Sequence, residues 1–207
     1  DLSSFYFDVR KDALYCDAPS SVRRRASRTV LEDLFSCLTA WLAPIICFTA
    51  EEAWRTRYPD DGESVHLRTF PNLPSTWRND QLANKWKKVR QVRRVVTGAL
   101  EVERTEKRIG SSLQAEPIVF VSDEYADSLK GLDLAEICIT SGVQLSVGGG
   151  EGFSLDDVHG VTVKPELAIG RKCERCWQVL PAVGNNTDQP DICPRCADAI
   201  SELPAEA

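Results

Sequence analysis

Four cysteines near the C-terminus, Cys173, Cys176, Cys193 and Cys196, follow the pattern Cys-x2-Cys-x16-Cys-x2-Cys. Each Cys-x-x-Cys turn places two sulfurs on one side of a metal, and the excursion over 177–192 is long enough to bring the second turn round to the other side. The spacing therefore predicts one tetrahedral ion, read as zinc, although iron meets the same four thiolates equally well. Four protein ligands leave no coordination position for water, so the site is expected to be structural rather than hydrolytic. A pair of redox Cys-x-x-Cys motifs is the competing explanation, but two unrelated redox pairs this close together would be odd.

Four thiolates around a divalent ion carry two net negative charges. Arg171, Lys172, Arg175 and Arg195 lie in or beside the two turns. They either favour thiolate over thiol or contact phosphate around a knuckle made rigid by the ion, and both roles are compatible. Trp177 follows the second cysteine directly; it is either a lid packed on the metal turn or a platform for an unstacked base.

Cys16, Cys37, Cys47 and Cys138 stand in apolar or periodic surroundings without pairing signatures and read as ordinary buried thiols. Reduced thiols beside a metal site point to a cytosolic protein. No apolar stretch is long enough for a membrane span or signal peptide. The chain of 207 residues contains no methionine and begins at Asp1, so it is expected to be a piece of something longer.

The net charge of −6 conceals an uneven distribution. Between Lys85 and Arg108 nine basic residues face three acidic ones, which leaves the rest of the chain at −12. The basic residues Lys85, Lys87, Lys88, Arg90, Arg93 and Arg94 open this segment, and Arg23, Arg24, Arg25 and Arg28 form a second cluster. Two basic faces on an acidic protein suggest a positioned polyanion partner; the plain alternative is that both are solvated helix faces.

Periodicity divides the chain into 1–78, 79–168 and 169–207. The first stretch is helical over Ser4–Leu14. A second helix, with a start signal at Pro19, Ser20 and Ser21, sets Val22, Ala26, Val30, Leu34, Leu38, Trp41 and Ile45 three or four apart, predicting a buried stripe that Pro44 ends. Thr49 and Glu52 have the form of a capping box for a short helix through Trp54, and antiparallel helices are the expected arrangement. A short extended piece is expected over Ser64–Phe70; its His66 reads as structural. Asn79 or Asp80 can cap a long helix to about Lys107, with Leu82, Trp86, Val89, Val96 and Leu100 on its buried side. After Gly110 the period changes. Pro117–Ser122, Glu136–Thr140, Val143–Val147 and Val161–Ile169 read as extended, Asp123–Lys130 as a short helix and Gly148–Gly152 as a loop. The fold class is thus mainly α, an antiparallel helical bundle, followed by a small α/β unit and a four-cysteine zinc ribbon or finger, with a disordered tail after Leu203.

No catalytic residues emerge. The two histidines are far apart, no Gly-x4-Gly-Lys loop or His-Glu-x-x-His motif occurs, and the Gly148–Gly150 run lacks the pattern of a phosphate cradle. Carboxylate pairs such as Glu51 with Glu52 are adjacent in sequence and point in different directions. The residues alone describe a polyanion-binding piece with a structural metal.

Several segments carry a resemblance. Asp1–Asp17 (DLSSFYFDVRKDALYCD) and Leu42–Trp54 (LAPIICFTAEEAW) resemble the helical anticodon-binding domain of bacterial isoleucyl-tRNA synthetases. Ser64–Leu67, Glu106–Leu113, Cys173–Trp177 and Cys193–Cys196 follow in that family's order, so the resemblance covers nearly the whole chain. The cysteines alone would be less specific, because the finger of formamidopyrimidine-DNA glycosylases has a similar layout; that family's Pro-Glu amino terminus is not present here.

The resemblance implies a parent ligase that activates isoleucine with ATP, transfers it to tRNA(Ile) and edits mischarged valine, one methylene being worth only about 1–3 kcal/mol of discrimination. The His-Ile-Gly-His and Lys-Met-Ser-Lys-Ser signatures are not in this sequence, so ATP chemistry belongs to a catalytic domain that this chain lacks. What is expected of the chain itself is tRNA binding through the two basic clusters, Arg175, Trp177 and Arg195. The remainder of a synthetase chain, otherwise monomeric and cytoplasmic, is its expected partner. A zinc finger of a DNA-repair glycosylase and a purely structural zinc tail are the alternatives.

Overall fold

The computed structural model describes residues 1–60 and 62–203; the tail expected to be disordered after Leu203 lies outside the described residues. In chain order the helices are α1 (Asp8–Cys16), α2 (Val22–Leu42), α3 (Cys47–Arg57), α4 (Asp80–Thr105), α5 (Asp123–Leu129), α6 (Leu134–Cys138) and α7 (Pro194–Ser201). The strands are β1 (Ile118–Val121), β2 (Gln144–Val147), β3 (Phe153–Leu155), β4 (Val158–Lys164), β5 (Arg171–Lys172) and β6 (Val179–Leu180). Ser20–Arg78 forms one unit, and Asp1–Pro19 clusters with Asn79 onward to form the other.

In the Ser20–Arg78 unit, the Ser21 hydroxyl accepts from the Arg24 amide and starts α2, as the sequence predicts. The helix stops at Leu42, two residues before Pro44. Glu32 meets Arg57 and Tyr58, while Phe35 stacks on Trp54 at 6.3 Å. The order of these pairs makes α2 and α3 antiparallel. Ala43, Ala50, Trp54 and Val65 form the small core, and Arg68 lies over the Trp54 ring at 4.0 Å while donating to the Ser36 carbonyl and hydroxyl.

Four expectations fail in this unit, one of them at Cys47, which reads as a buried thiol but is exposed at the first turn of α3. The stripe on α2 is not buried: Val22 is 78% exposed, Val30 and Trp41 are exposed as well, and Ile45, also exposed, lies past the end of the helix. α3 covers a different face of α2, the one bearing Phe35, Thr39 and Ala43, so a helix with two apolar faces has only one of them packed here. Thr49 and Glu52 form no capping box, because α3 begins at Cys47 with Ile46 at its cap and no side-chain cap bond. Ser64–Phe70 is not a strand but contains a 3-10 turn at Val65–Leu67, capped by Ser64.

The other unit is built on α4. Asn79 accepts from the Leu82 amide and caps it. Val89, Val92, Val95, Val96, Ala99 and Leu100 form its buried side and join Val119, Val121, Val161 and Val163 of the sheet in one core; each such valine contributes roughly 1.5–3 kcal/mol by leaving water. Leu82, expected on this side, is exposed, since it precedes the segment that lies on the core. The sheet order is β2-β1-β4-β3, with β1 parallel to β2 and antiparallel to β4. The register sets Val119 opposite Val163 and Val121 opposite Val161, so both pairs face α4 together. Gly98 allows the close approach of β3: a Cβ there would stand 2.9 Å from the Phe153 ring.

Glu136–Thr140, expected as a strand, contains most of α6. Asp133 accepts from the Glu136 amide to start that helix, and Ile139 ends it in the left-handed region at φ 58. A short apolar run does not separate a strand from a buried helix by periodicity; the aspartate cap decides it here.

Candidate metal centre and nucleic-acid interface

β5 and β6 pair antiparallel, Arg171 with Leu180 and Lys172 with Val179, and the Cys173–Cys176 turn sits at the end of this ribbon. Within the turn the Trp177 amide donates to the Cys173 carbonyl at 2.8 Å, and the Cys173 amide donates to the Gln178 carbonyl at 2.8 Å. Cys193 is the N-cap of α7 and Pro194 its first residue, which suits a proline because that amide has no partner in a helix. Cys196 then lies one turn into the helix. The Sγ atoms of Cys173, Cys176, Cys193 and Cys196 all lie within 4.8 Å of one another, and all four residues are buried. Val183, Leu180, Ile192 and Cys16 pack around them.

Burial pushes Cys176 up to about 12 and Cys196 up to about 11, and it raises Cys193 too. Burial also acts against ionisation at Cys173, but the amides of Cys176, Cys193 and Arg175 outweigh it and bring that thiol down to about 6. Four thiols this close become thiolates together only with a cation among them. Their number, softness and spacing fit one tetrahedral zinc; a set without histidine or carboxylate suits structure rather than hydrolysis. Arg175 donates to the Cys196 sulfur at 3.6 Å, placing positive charge against the cluster.

The two knuckle arginines also face inward. Arg175 donates to the Cys16 carbonyl at 2.5 Å and the Tyr15 carbonyl at 3.1 Å, the last carbonyls of α1. Arg195 grips Asp12 with both terminal nitrogens, at 2.6 and 2.8 Å, and reaches Asp17 at 3.3 Å. Asp12 and Asp17 were not legible as site residues: their partner lies 183 and 178 positions away, and an aspartate on a helix carries no sign of it.

Trp177 turns outward, 59% exposed, from a left-handed backbone at φ 67, with the Lys172 ammonium 5.7 Å from its ring. Neither glycine nor asparagine, it stands where few side chains do. It rims a cavity of about 360 Å³ lined by Val9, Tyr15, Cys16, Leu113, Ile139 and Gln178 among others. Ile139, another left-handed residue, lines the same cavity.

The cations of α4 are divided. Lys87, Arg90, Arg93 and Arg94 line one open groove of about 580 Å³ with Ser4 and Phe5. Each also has a partner inside the fold: Arg90 pairs with Asp1, Arg93 donates to the Ile137 carbonyl, Arg94 pairs with Asp157 and Lys87 donates to Asn84. Lys88 pairs with Glu124, and Lys85 reaches the Lys130 carbonyl at 3.5 Å. Arg23, Arg24, Arg25 and Arg28 lie in the first turns of α2, in the Ser20–Arg78 unit; Arg25 and Arg28 are exposed.

No helix among the described residues is long and apolar enough to cross a membrane.

The family model for the anticodon-binding domain of tRNA ligase matches residues 1–119, and that for a zinc finger found in FPG and IleRS matches residues 170–199. The chain is 55% identical over 99% of its length to an isoleucine–tRNA ligase of Agrobacterium fabrum and to one of Brucella abortus, covering 21% of each. It is 52% identical over 98% of its length to that of Bartonella henselae, again covering 21%. The chain thus spans about a fifth of the length of the curated relatives it matches.

Proposed function

We propose, because this chain belongs to the family of anticodon-binding domains of tRNA ligases, that it is the tRNA-gripping end of an isoleucine–tRNA ligase. In the parent protein it would support ATP-dependent attachment of isoleucine to tRNA(Ile) without taking part in the chemistry. The observation that carries this reading is Trp177: an exposed indole, held in a left-handed conformation by a buried four-cysteine turn and set at the mouth of a cavity. An aromatic face in such a place is suited to stacking an unstacked base.

Cys173, Cys176, Cys193 and Cys196 would hold one zinc ion, which supplies rigidity. Arg25 and Arg28, with Arg23 and Arg24 beside them, would meet backbone phosphate, as would Lys85 and Lys88 near the start of α4 and the groove cations Lys87, Arg90, Arg93 and Arg94. Such contacts, far from the acceptor end, raise the rate of acylation when they align that end. Residues 1–78, 79–168 and 169–207 would divide this work between helical grip, junction and zinc knuckle, although Asp1–Pro19 clusters with the residues from Asn79 onward. Val22, Val30 and Trp41 of α2, with Ile45 just past its end, leave apolar side chains exposed, and the remainder of the ligase chain would be their natural cover. The whole protein would act as a cytoplasmic monomer.

The test is binding of tRNA(Ile) to the zinc-loaded chain across a salt series, with abasic-site DNA as competitor. Trp177→Ala is expected to weaken tRNA binding by about 1–3 kcal/mol, and wild-type affinity should fall as salt rises. Preference for abasic DNA would point instead to a glycosylase finger. A folded, zinc-bound chain with affinity for neither would leave a purely structural tail.

A further inference from the structure

Arg175 and Arg195 occupy the same place in the two metal turns, each directly before the second cysteine, and both point at α1. Arg175 bonds the carbonyls that end the helix. Arg195 forks onto Asp12, one turn back from that end, and reaches Asp17 just after it. Asp17 is buried, while the Arg195 and Asp12 side chains are 33% and 28% exposed, so the two-pronged guanidinium–carboxylate pair, which is geometrically demanding, lies at the rim of this contact. Elsewhere α1 is fixed by Arg10 to Glu136 at 2.6 Å and by Arg93 to Asp8 at 3.8 Å. The knuckle thus docks on a helix that the rest of the unit already holds still.

That docking builds the cavity. One wall is α1, with Val9, Tyr15 and Cys16; another is the end of α6, with Ile139 and Thr140; the third is the metal turn, with Cys176, Trp177 and Gln178. Tyr15, 75% exposed, and Trp177 both border it. Without the Arg195 fork, the third wall would keep its metal and lose its register against the other two.

We infer that Arg195 is a positioning residue: by clamping the metal turn to Asp12 and Asp17 it holds Trp177 in place for RNA, and it makes no phosphate contact itself. This inference rests on the tRNA-binding reading above. It also makes a prediction opposite in sign to simple electrostatics. Removing the negative charge of Asp12 should help a polyanion bind if charge alone matters, and should hinder it if the clamp matters.

The experiment measures tRNA affinity of the zinc-loaded chain as wild type, Asp12→Asn, Arg195→Lys and Arg195→Gln, at several salt concentrations. Alongside, the reaction of Cys16 with a thiol reagent is followed by peptide mapping. Arg195→Lys keeps the charge and loses the fork. Asp12→Asn and Arg195→Lys are expected to bind tRNA about tenfold more weakly, the scale of one lost charged hydrogen-bond pair. The slope of log affinity against log salt should be unchanged, whereas a lost phosphate contact would lower it by roughly 0.7–0.9. Cys16, buried beneath the knuckle, should become reactive while zinc stays bound. Unchanged or tighter binding by Asp12→Asn, or wild-type affinity in Arg195→Lys, overturns the inference, as does a reduced salt slope in Arg195→Gln, which removes the charge that lysine keeps. Should the wild type itself fail to bind tRNA, the functional reading falls, and Cys16 reactivity alone then decides whether the clamp exists.

Discussion

The backbone amide of Cys193 donates to the sulfur of Cys173 across 3.3 Å, so one cysteine turn is tied to the other through a sulfur that would also hold the ion. The ribbon has only two short strands and one helix of eight residues, too little apolar surface to hold itself closed. Zinc held by such turns contributes about 10–16 kcal/mol to folding in isolated fingers. Chelation is therefore expected to abolish amide-exchange protection across Lys172–Ile200 while β1 and β4 stay protected. Protection persisting in the ribbon after complete zinc removal would show that packing alone folds it.

Zinc affinity should climb steeply with pH. Cys176 and Cys196 stand at about 12 and about 11 because burial opposes their ionisation. Burial raises Cys193 as well, so all three are thiols between pH 6 and 8, and a metal must expel their protons to bind. Three protons released make the association constant rise about a thousandfold per pH unit. Competition with a chelator of known affinity at several pH values reads this slope; a slope near zero would mean that the thiols are already ionised.

Much of this architecture is legible locally. Ser21 and Asn79 announce their helices, the β-branched and aromatic run Ile118–Val121 announces a strand, and the cysteine spacing announces the knuckle. What escapes is everything that depends on distant partners. The apolar stripe of α2 is as periodic as a buried one, yet α3 covers another face. Ile137 and Ile139 look like strand residues until the Asp133 cap and the left-handed Ile139 are seen. Arg175 and Arg195 look like surface cations; only the return of α1 beside the metal turn shows them occupied.

Glu51 gives the Ser20–Arg78 unit an acid-sensitive contact. The Arg55 guanidinium donates to it at 2.5 Å, and the Ser64 hydroxyl and Val65 amide add bonds at 2.8 and 2.9 Å, together holding the carboxyl at about 2. A group depressed on folding stabilises the folded state above its ordinary value, and that contribution fades as pH falls through its folded one. Exchange protection of the Val65 amide should therefore decline between about pH 4.5 and pH 2. In Glu51→Gln it should be lower at neutral pH and flat across that window. An identical acid profile in both proteins would exclude Glu51 as the source.

Ser141 joins the sheet region to the ribbon by a single hydroxyl. It donates to the Leu113 carbonyl at 2.5 Å and accepts from the Val179 amide at 2.7 Å, the first residue of β6. Its own amide bonds the Ala115 carbonyl, so the hydroxyl's position is fixed by backbone on its own side. Ser141→Ala leaves a β6 donor and a loop acceptor without partners in a half-buried place, which costs about 1–3 kcal/mol. The loss should be local before it is global: faster exchange at the Val179 amide, with β1 and β4 unaffected, and a melting temperature lower by a few degrees. Ser141→Thr keeps the hydroxyl and should recover most of both. If the alanine variant protects Val179 as the wild type does, the ribbon is held to the sheet by its packing, and the hydroxyl merely fills a gap between them.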